Sequence, residues 1–253
     1  MNKLKDKVAL VTGSSRGIGA SIARTFAEEG ATVVVHGRDA KAVAEVHAQI
    51  EQAGGRAISR VADVTHFTEI EAMRREIEER VGPIDILVAN AGGSLTPPGP
   101  LEDISEDDWR ASVEANLTAT FLCIKSVLPG MKTRKSGVII TMSSSAARRP
   151  HPRSPIPYAV AKAAIELLTQ DVAIQAGPFG VRAACIAPET ILTERNQERI
   201  PAAQQAELAK IHPIPRLGTP EDVARAALFL ASEDAAWITG IVVDVAGGAT
   251  MVR

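Results

Sequence analysis

Cysteine, unbalanced charge and long apolar runs are all scarce in this chain of 253 residues, and each shortage removes a class of function. Only Cys123 and Cys185 occur, each inside an apolar pattern. Buried free thiols in a reducing, cytoplasmic compartment are therefore expected rather than a disulfide. Lysine plus arginine number 28 against 30 acids, a net charge of −2, which gives no footing for nucleic acid or an anionic membrane surface. No run reaches the ~18 apolar residues of a membrane span. Residues 1–7 are polar with no apolar stretch behind them, so no signal peptide is expected. The five histidines form no ligand-spaced set with cysteine or carboxylate, and no metal site is expected. What is present, 45% hydrophobic and 23% charged residues, is the composition of a soluble globular protein.

Short, nearly continuous apolar runs fall at 8–12, 32–36, 57–62, 84–90, 137–143, 181–187 and 242–245. Such runs read as parallel strands covered on both faces. Helical patterns lie between them at 18–29, 40–53, 67–81, 106–128, 158–176 and 220–230. This alternation, with no repeat and no linker, predicts one α/β domain over residues 1–253. Its form is a doubly wound Rossmann sheet of about seven parallel strands with helices on both faces. The one excursion, 189–218, is polar and broken by Pro201, Pro213 and Pro215. It follows the sixth strand on the ligand-binding side of such sheets and reads as a substrate lid.

The first strand runs into Thr12-Gly13-Ser14-Ser15-Arg16-Gly17-Ile18-Gly19 and then a helix. Glycines let backbone approach a pyrophosphate, and the helix start offers free amides and partial positive charge. The spacing is G-x-x-x-G-x-G, and a tight strand-to-helix connection is the plain alternative. Its place after the first apolar strand favours a dinucleotide site, with Ser15, Arg16 and Ile18 between and beside the glycines. The second strand ends His36-Gly37-Arg38-Asp39. An acid at this strand end would bond a ribose 2′-hydroxyl and repel a 2′-phosphate. Gly37 stands there instead, with Arg38 next to it and Arg16 within reach. Two guanidiniums favour a phosphate, so NADP(H) is expected over NAD(H). Asp39 reads as the N-cap of the next helix.

Tyr158 and Lys162 lie four positions apart at a helix start, on one face and one turn apart. An ammonium that close is expected to depress the tyrosine pKa and make an acid/base group usable near neutral pH. Such a pair also arises by chance. Tyr158, however, is the only tyrosine of the chain, and it follows the cluster Ser143-Ser144-Ser145 at a strand's carboxyl end, where a substrate oxygen is expected.

Glycine turn, serine cluster and Tyr-x-x-x-Lys, in this order, resemble the short-chain dehydrogenase/reductase family over essentially the whole chain, with 3-oxoacyl-[acyl-carrier-protein] reductases among its members. The resemblance implies that Val88-Ala89-Asn90-Ala91-Gly92 supports the sheet beside the cofactor and that Asp63 and Val64 meet the adenine ring. It implies a proton relay through Asn116, with Ser144 (Ser145 as the fallback) and Tyr158 on the substrate oxygen. Lys162 then holds the nicotinamide ribose, and Pro188, Ile191 and Thr193 meet the nicotinamide. It also implies a homotetramer in which two long helices pack across each dimer face.

One departure stands out: Glu189 occupies a position where the family usually has glycine. Either the backbone tolerates a side chain there, or Glu189 shapes the substrate space. Arg148, Arg149 and Arg153 lie between Ser144 and Tyr158, and Lys132, Arg134 and Lys135 form a second basic group. Each reads as a solvated loop or as an attractor for a carboxylate, a phosphate or an acyl carrier protein. The leading expectation is an NADPH-dependent carbonyl reductase, with 3-oxoacyl thioesters as its substrate class. An NAD(P)+-dependent alcohol, sugar or hydroxy-acid dehydrogenase is the first alternative, and a non-catalytic dinucleotide-binding scaffold the remote one.

Overall fold

A parallel strand buried on both faces needs apolar side chains at every position, because neighbours point to opposite sides. The computed structural model, which describes residues 2–151 and 154–251, realises that arrangement. The strands are β1 (Val8–Val11), β2 (Thr32–Gly37), β3 (Arg56–Val61), β4 (Ile86–Ala89), β5 (Gly137–Met142), β6 (Val181–Pro188) and β7 (Val242–Val245). They form one seven-stranded sheet in the order β3-β2-β1-β4-β5-β6-β7. Every pairing is parallel. The doubly wound expectation therefore holds. The order reverses between β1 and β4, and that switch point opens the crevice in which such sheets bind ligands.

On one face pack α1 (Gly17–Glu28), α2 (Ala40–Gln52) and α10 (Pro220–Ala231). Phe26, Ile22 and Leu230 meet Ala9, Val11, Val33 and Val35 there. The other face carries α3 (Phe67–Arg80), α5 (Ala119–Arg134) and α7 (Ile156–Ala176). Ile70, Ile77 and Met131 meet Val8, Leu10 and Val34 there. Alternate residues of β1 thus serve opposite cores. Cys123 and Cys185 are free and buried, as expected, and burial pushes their thiols up to about 12 and about 11.

The expected helix 106–128 is present and longer, with a π-turn within it. It is α4 (Glu106–Val113), a five-residue π-turn (Glu114–Thr118) and α5, which runs on to Arg134. Pro129 does not stop it, because a proline forfeits only one helical amide bond and burial of Met131 carries the next turn. A short α6 (Ser145–Arg148) follows β5. The excursion after β6 holds α8 (Glu194–Arg199) and α9 (Ala202–Lys210), closed at its base by a bridge between Ile191 and Gly218. No helix among the described residues is long and apolar enough to cross a membrane.

Candidate active site

β1 delivers the chain to the sheet's carboxyl edge at Thr12. Its buried hydroxyl accepts the amides of Asn90 and Ala91, each at 3.1 Å. The Asn90 side chain donates back to the carbonyls of Thr12 and Gly13 at 3.0 and 3.1 Å. Gly13 sits at φ +65°, and a Cβ there would lie 2.9 Å from the Ala91 Cα. A Cβ on Gly19 would come 2.3 Å from the Gly13 carbonyl oxygen. Neither position admits a side chain, so the turn can fold tightly into the start of α1.

His36, which the sequence reading passed over, fixes the turn from below. Its Nδ1 accepts the Gly13 amide at 3.1 Å and its Nε2 donates to the Ala62 carbonyl at 3.1 Å, the neutral tautomer. Burial pushes this ring down to about 4. Its one advance signal was a polar residue inside an apolar strand.

α2, α4, α8 and α10 are capped by the side chains of Asp39, Ser105, Thr193 and Thr219. Like α3, α7 and α9, α1 has no side-chain cap. Its first residues line a cavity of about 890 Å3, so its free amides present a positive end to an incoming anion. That arrangement fits the pyrophosphate of a dinucleotide. Gly13, Ser15, Arg16, Gly17, Ile18, Gly19, Asn90, Gly92, Ser144, Tyr158, Lys162, Pro188, Ile191 and Thr193 all line this cavity.

Six expected site residues lie outside that lining. Gly37 backs onto Ser15, whose Oγ would be 3.0 Å from a Cβ placed there. Arg38 faces Asp63 at 3.5 Å and Arg16 faces Asp39 at 3.2 Å, so both guanidiniums already have carboxylate neighbours. Asp63 also accepts from the amide and hydroxyl of Thr65, the amide bond being the main cause of its lowered pKa. Val64 is buried in the core, and Ala91 hangs from Thr12. Asn116, within the π-turn, is fully buried. Its side-chain amide brackets Gly93, accepting from the amide at 2.9 Å and donating to the carbonyl at 3.1 Å. It also donates to the Ser112 carbonyl at 2.9 Å. The side chain therefore holds the loop after β4 in place.

The loop after β5 places the Ser144 hydroxyl beside the Tyr158 hydroxyl, where it acts to lower the phenol's pKa. Ser144 also caps α6, accepting the Ala146 amide at 3.2 Å. Ser144 lines both the long cleft and the cavity beside it, whereas Ser145 lines only the latter. Lys162 is buried one turn along α7; its Nζ donates to the Met142 carbonyl at 2.8 Å and lies 5.6 Å from the centre of the Tyr158 ring. The expected depression of the tyrosine pKa is not found. Burial raises it, and only the Ser144 hydroxyl acts in the lowering direction. The lysine points its ammonium at a carbonyl across from the phenol, and burial brings it down to about 8.

A second cavity of about 710 Å3 adjoins Ser144 and Tyr158, walled by the loop 94–98, the loop after α6, and α8 with α9. The family model described as enoyl-(acyl carrier protein) reductase matches residues 13–250. The chain is 36% identical over 248 residues to the (2S)-[(R)-hydroxy(phenyl)methyl]succinyl-CoA dehydrogenase subunit BbsD of Thauera aromatica, covering 98% of each chain. It belongs to the short-chain dehydrogenase/reductase family.

Among solved structures, a 3-oxoacyl-[acyl-carrier protein] reductase from Brucella melitensis superposes with a TM-score of 0.93 at 34% identity, over 99% of this chain and 94% of that one. A 7α-hydroxysteroid dehydrogenase complexed with NADH and 7-oxo glycochenodeoxycholic acid gives 0.92 at 38% identity, over 97% and 95%. Family membership makes this chain an oxidoreductase acting on CH–OH groups with a nicotinamide dinucleotide.

Glu189 stands where the family resemblance leads to the expectation of glycine. The carboxylate accepts the Thr190 amide and faces His212 Nε2 at 3.0 Å, while His212 Nδ1 meets the Leu208 carbonyl at 2.8 Å. Glu189 thus joins the end of β6 to the end of α9. Arg148 is no substrate attractor, because it is nearly buried and paired with Glu166 at 2.7 Å and Asp244 at 2.9 Å. Glu166 in turn accepts the Ser143 hydroxyl at 2.7 Å, so this network braces the loop beneath Ser144. Arg149 does line the substrate cavity, and Arg153 lies outside the described residues. Lys132, Arg134 and Lys135 precede β5 and so sit at the sheet's amino edge, away from Tyr158. Arg134 donates to the Ile84 carbonyl there, and Lys132 lies over Phe179. Neither contact belongs to the substrate mouth.

Proposed function

We propose that this chain is an NADP(H)-dependent carbonyl reductase and secondary-alcohol dehydrogenase in which Tyr158 exchanges the proton. The observation that carries this reading is one edge on which Ser144, Tyr158 and Lys162 line both the long cleft of the glycine turn and, through Ser144 and Tyr158, the adjoining cavity. When bound, the cofactor supplies or takes the hydride. A phenol whose pKa burial raises keeps its proton at neutral pH, which suits donation. Ser144 holds the substrate oxygen, and Tyr158 passes that oxygen a proton, which solvent replaces. Carbonyl carbon and oxygen thereby gain one hydride and one proton, and the alcohol results. Lys162 is the buried cation that faces the cofactor cleft from one turn along α7, tied to the Met142 carbonyl, and Asn116 keeps the loop after β4 in place.

The same proposal gives Gly13, Ser15, Arg16, Gly17, Ile18 and Gly19 to the pyrophosphate and adenosine end, and Pro188, Ile191 and Thr193 to the nicotinamide end. Arg16 and Arg38 favour the 2′-phosphate, each exchanging its carboxylate partner for a dianion with better geometry. Oxoacyl thioesters are the substrate class suggested by the thioester-named relatives. The protein works in the cytoplasm as a homotetramer, behind a lid formed by residues 189–218.

Purified protein with NADPH and a panel of ketones and oxoacyl thioesters tests the reading. Tyr158→Phe is expected to lower kcat by about a thousandfold, the scale of general acid catalysis; activity near wild type overturns the proton role. Arg38→Asp is expected to shift preference from NADPH toward NADH by about tenfold or more. An unchanged ratio removes the NADP(H) assignment and leaves the dehydrogenase reading standing.

A further inference from the structure

The cavity beside Ser144 and Tyr158 carries more positive charge than reduction of a carbonyl requires. Arg149, Arg195 and Arg199 all line it. Arg195 and Arg199 are one turn apart on α8 and so share a face. Arg149 comes from the other wall, just beyond α6. Arg195 also lines the long cleft and reaches the Ser94 carbonyl at 3.5 Å, whereas Arg149 and Arg199 line the substrate cavity alone of the two.

Many arginines elsewhere have carboxylate partners, whereas Arg24, Arg134 and Arg182 bond to amide or carbonyl oxygens. Arg16, Arg38, Arg60, Arg80, Arg110 and Arg216 each lie within 3.5 Å of a carboxylate. Among the described residues, Arg149 and Arg199 pair with none. The one acid in the cavity wall, Glu189, is already engaged by the Thr190 amide and by His212. Leu95, Ile200, Leu208 and Ile211 line the remaining space with apolar surface. Guanidiniums left without partners over such a surface match a planar anionic group at the end of an apolar body.

We propose that Arg149 and Arg199, with Arg195 between the two cavities, form an anion subsite that selects oxo and hydroxy substrates carrying a carboxylate or phosphate remote from the reacting carbon. The inference rests on the hydride-transfer reading above and narrows its substrate class. The reacting oxygen sits at Ser144 and Tyr158, the apolar middle lies against Leu208 and Ile211, and the anion meets the arginines.

Two matched substrate pairs test it with NADPH and the full-length protein. Levulinate against methyl levulinate isolates a free carboxylate. Acetoacetyl-coenzyme A against S-acetoacetyl-N-acetylcysteamine isolates the phosphates of a thioester carrier. Wild type is expected to favour the anionic member of at least one pair by about tenfold or more in kcat/KM, and the pair that responds names the source of the anion. The double variant Arg149→Gln/Arg199→Gln is expected to bring that ratio close to one. Arg225→Gln, which removes an exposed charge on the outer face of α10, is expected to leave the ratio alone. Ratios near one for both pairs in wild type, with the neutral members turned over, overturn the subsite and leave the reductase standing.

Failure to turn over any of the four counts against the proposed function instead. Calorimetric binding of glutarate to the protein then decides the subsite by itself. Binding that the double variant loses supports it; equal binding, or none, overturns it.

Discussion

A half-buried tyrosine at the wall of two cavities and a lysine held by a carbonyl define the chemistry available at the scale of single residues. Burial works on the two in opposite directions, raising the phenol and lowering the ammonium to about 8, because the charged form is acidic in one and basic in the other. His36 obeys the same rule with a consequence for stability. Its folded value of about 4 lies below the ordinary 6.5, so the folded ring stays neutral where the unfolded one takes a proton. Stability is full above pH ~6.5 and falls as pH drops toward 4, by on the order of 3 kcal/mol at 1.36 kcal/mol per unit. Urea denaturation at a series of pH values reads this slope. His36→Gln keeps an acceptor for the Gly13 amide and a donor for Ala62 but cannot titrate, so its stability is expected to change much less between pH 6.5 and 4. A variant that loses as much as wild type shows that other groups carry the acid sensitivity.

Among the elements, the segment from β6 to α10 connects the nicotinamide end of the cleft to the substrate cavity. Its anchor is a pair that composition does not announce: Glu189 and His212 are 23 residues apart, with the histidine side chain 2% exposed. The two ring nitrogens face the Leu208 carbonyl and the Glu189 carboxylate, so the ring ties α9 to the end of β6. Weakening a hydrogen bond at such a largely enclosed site costs about 1 kcal/mol or more. Glu189→Gln is accordingly expected to loosen α9, speeding proteolysis within 201–218 and raising KM for the carbonyl substrate by at least about threefold. An unaltered cleavage rate together with an unaltered KM removes the anchor. The strands, the glycine turn and the Tyr158–Lys162 spacing were legible because each depends on neighbours within one turn or one strand. The Arg148 pairs with Glu166 and Asp244 span 18 and 96 residues, and the π-turn at Glu114–Thr118 keeps an ordinary helical composition, so local pattern shows neither.

At the scale of the whole molecule, two of the exposed apolar regions among the described residues lie on different elements and suit self-association. Along α7, Val160, Leu167 and Ile174 recur every seven residues and are 46%, 61% and 75% exposed, with Phe121 on neighbouring α5 at 45%. Near the unpaired outer edge of β7, Trp237 is 99% exposed and Ile241 39%. A closed tetramer of dihedral symmetry uses two separate self-complementary interfaces, and two such patches meet that requirement where one would stop at a dimer. The net charge of −2 offers little repulsion against assembly. Light scattering coupled to size exclusion separates the steps. Ile174→Glu is expected to leave dimers joined through the Trp237 region, and Trp237→Glu to leave dimers joined through α5 and α7. The double variant is expected to run as monomers of 26.7 kDa. If Ile174→Glu alone gives monomers, the β7 edge makes no interface of its own; if it leaves the wild-type mass intact, the α7 stripe faces solvent in the assembly.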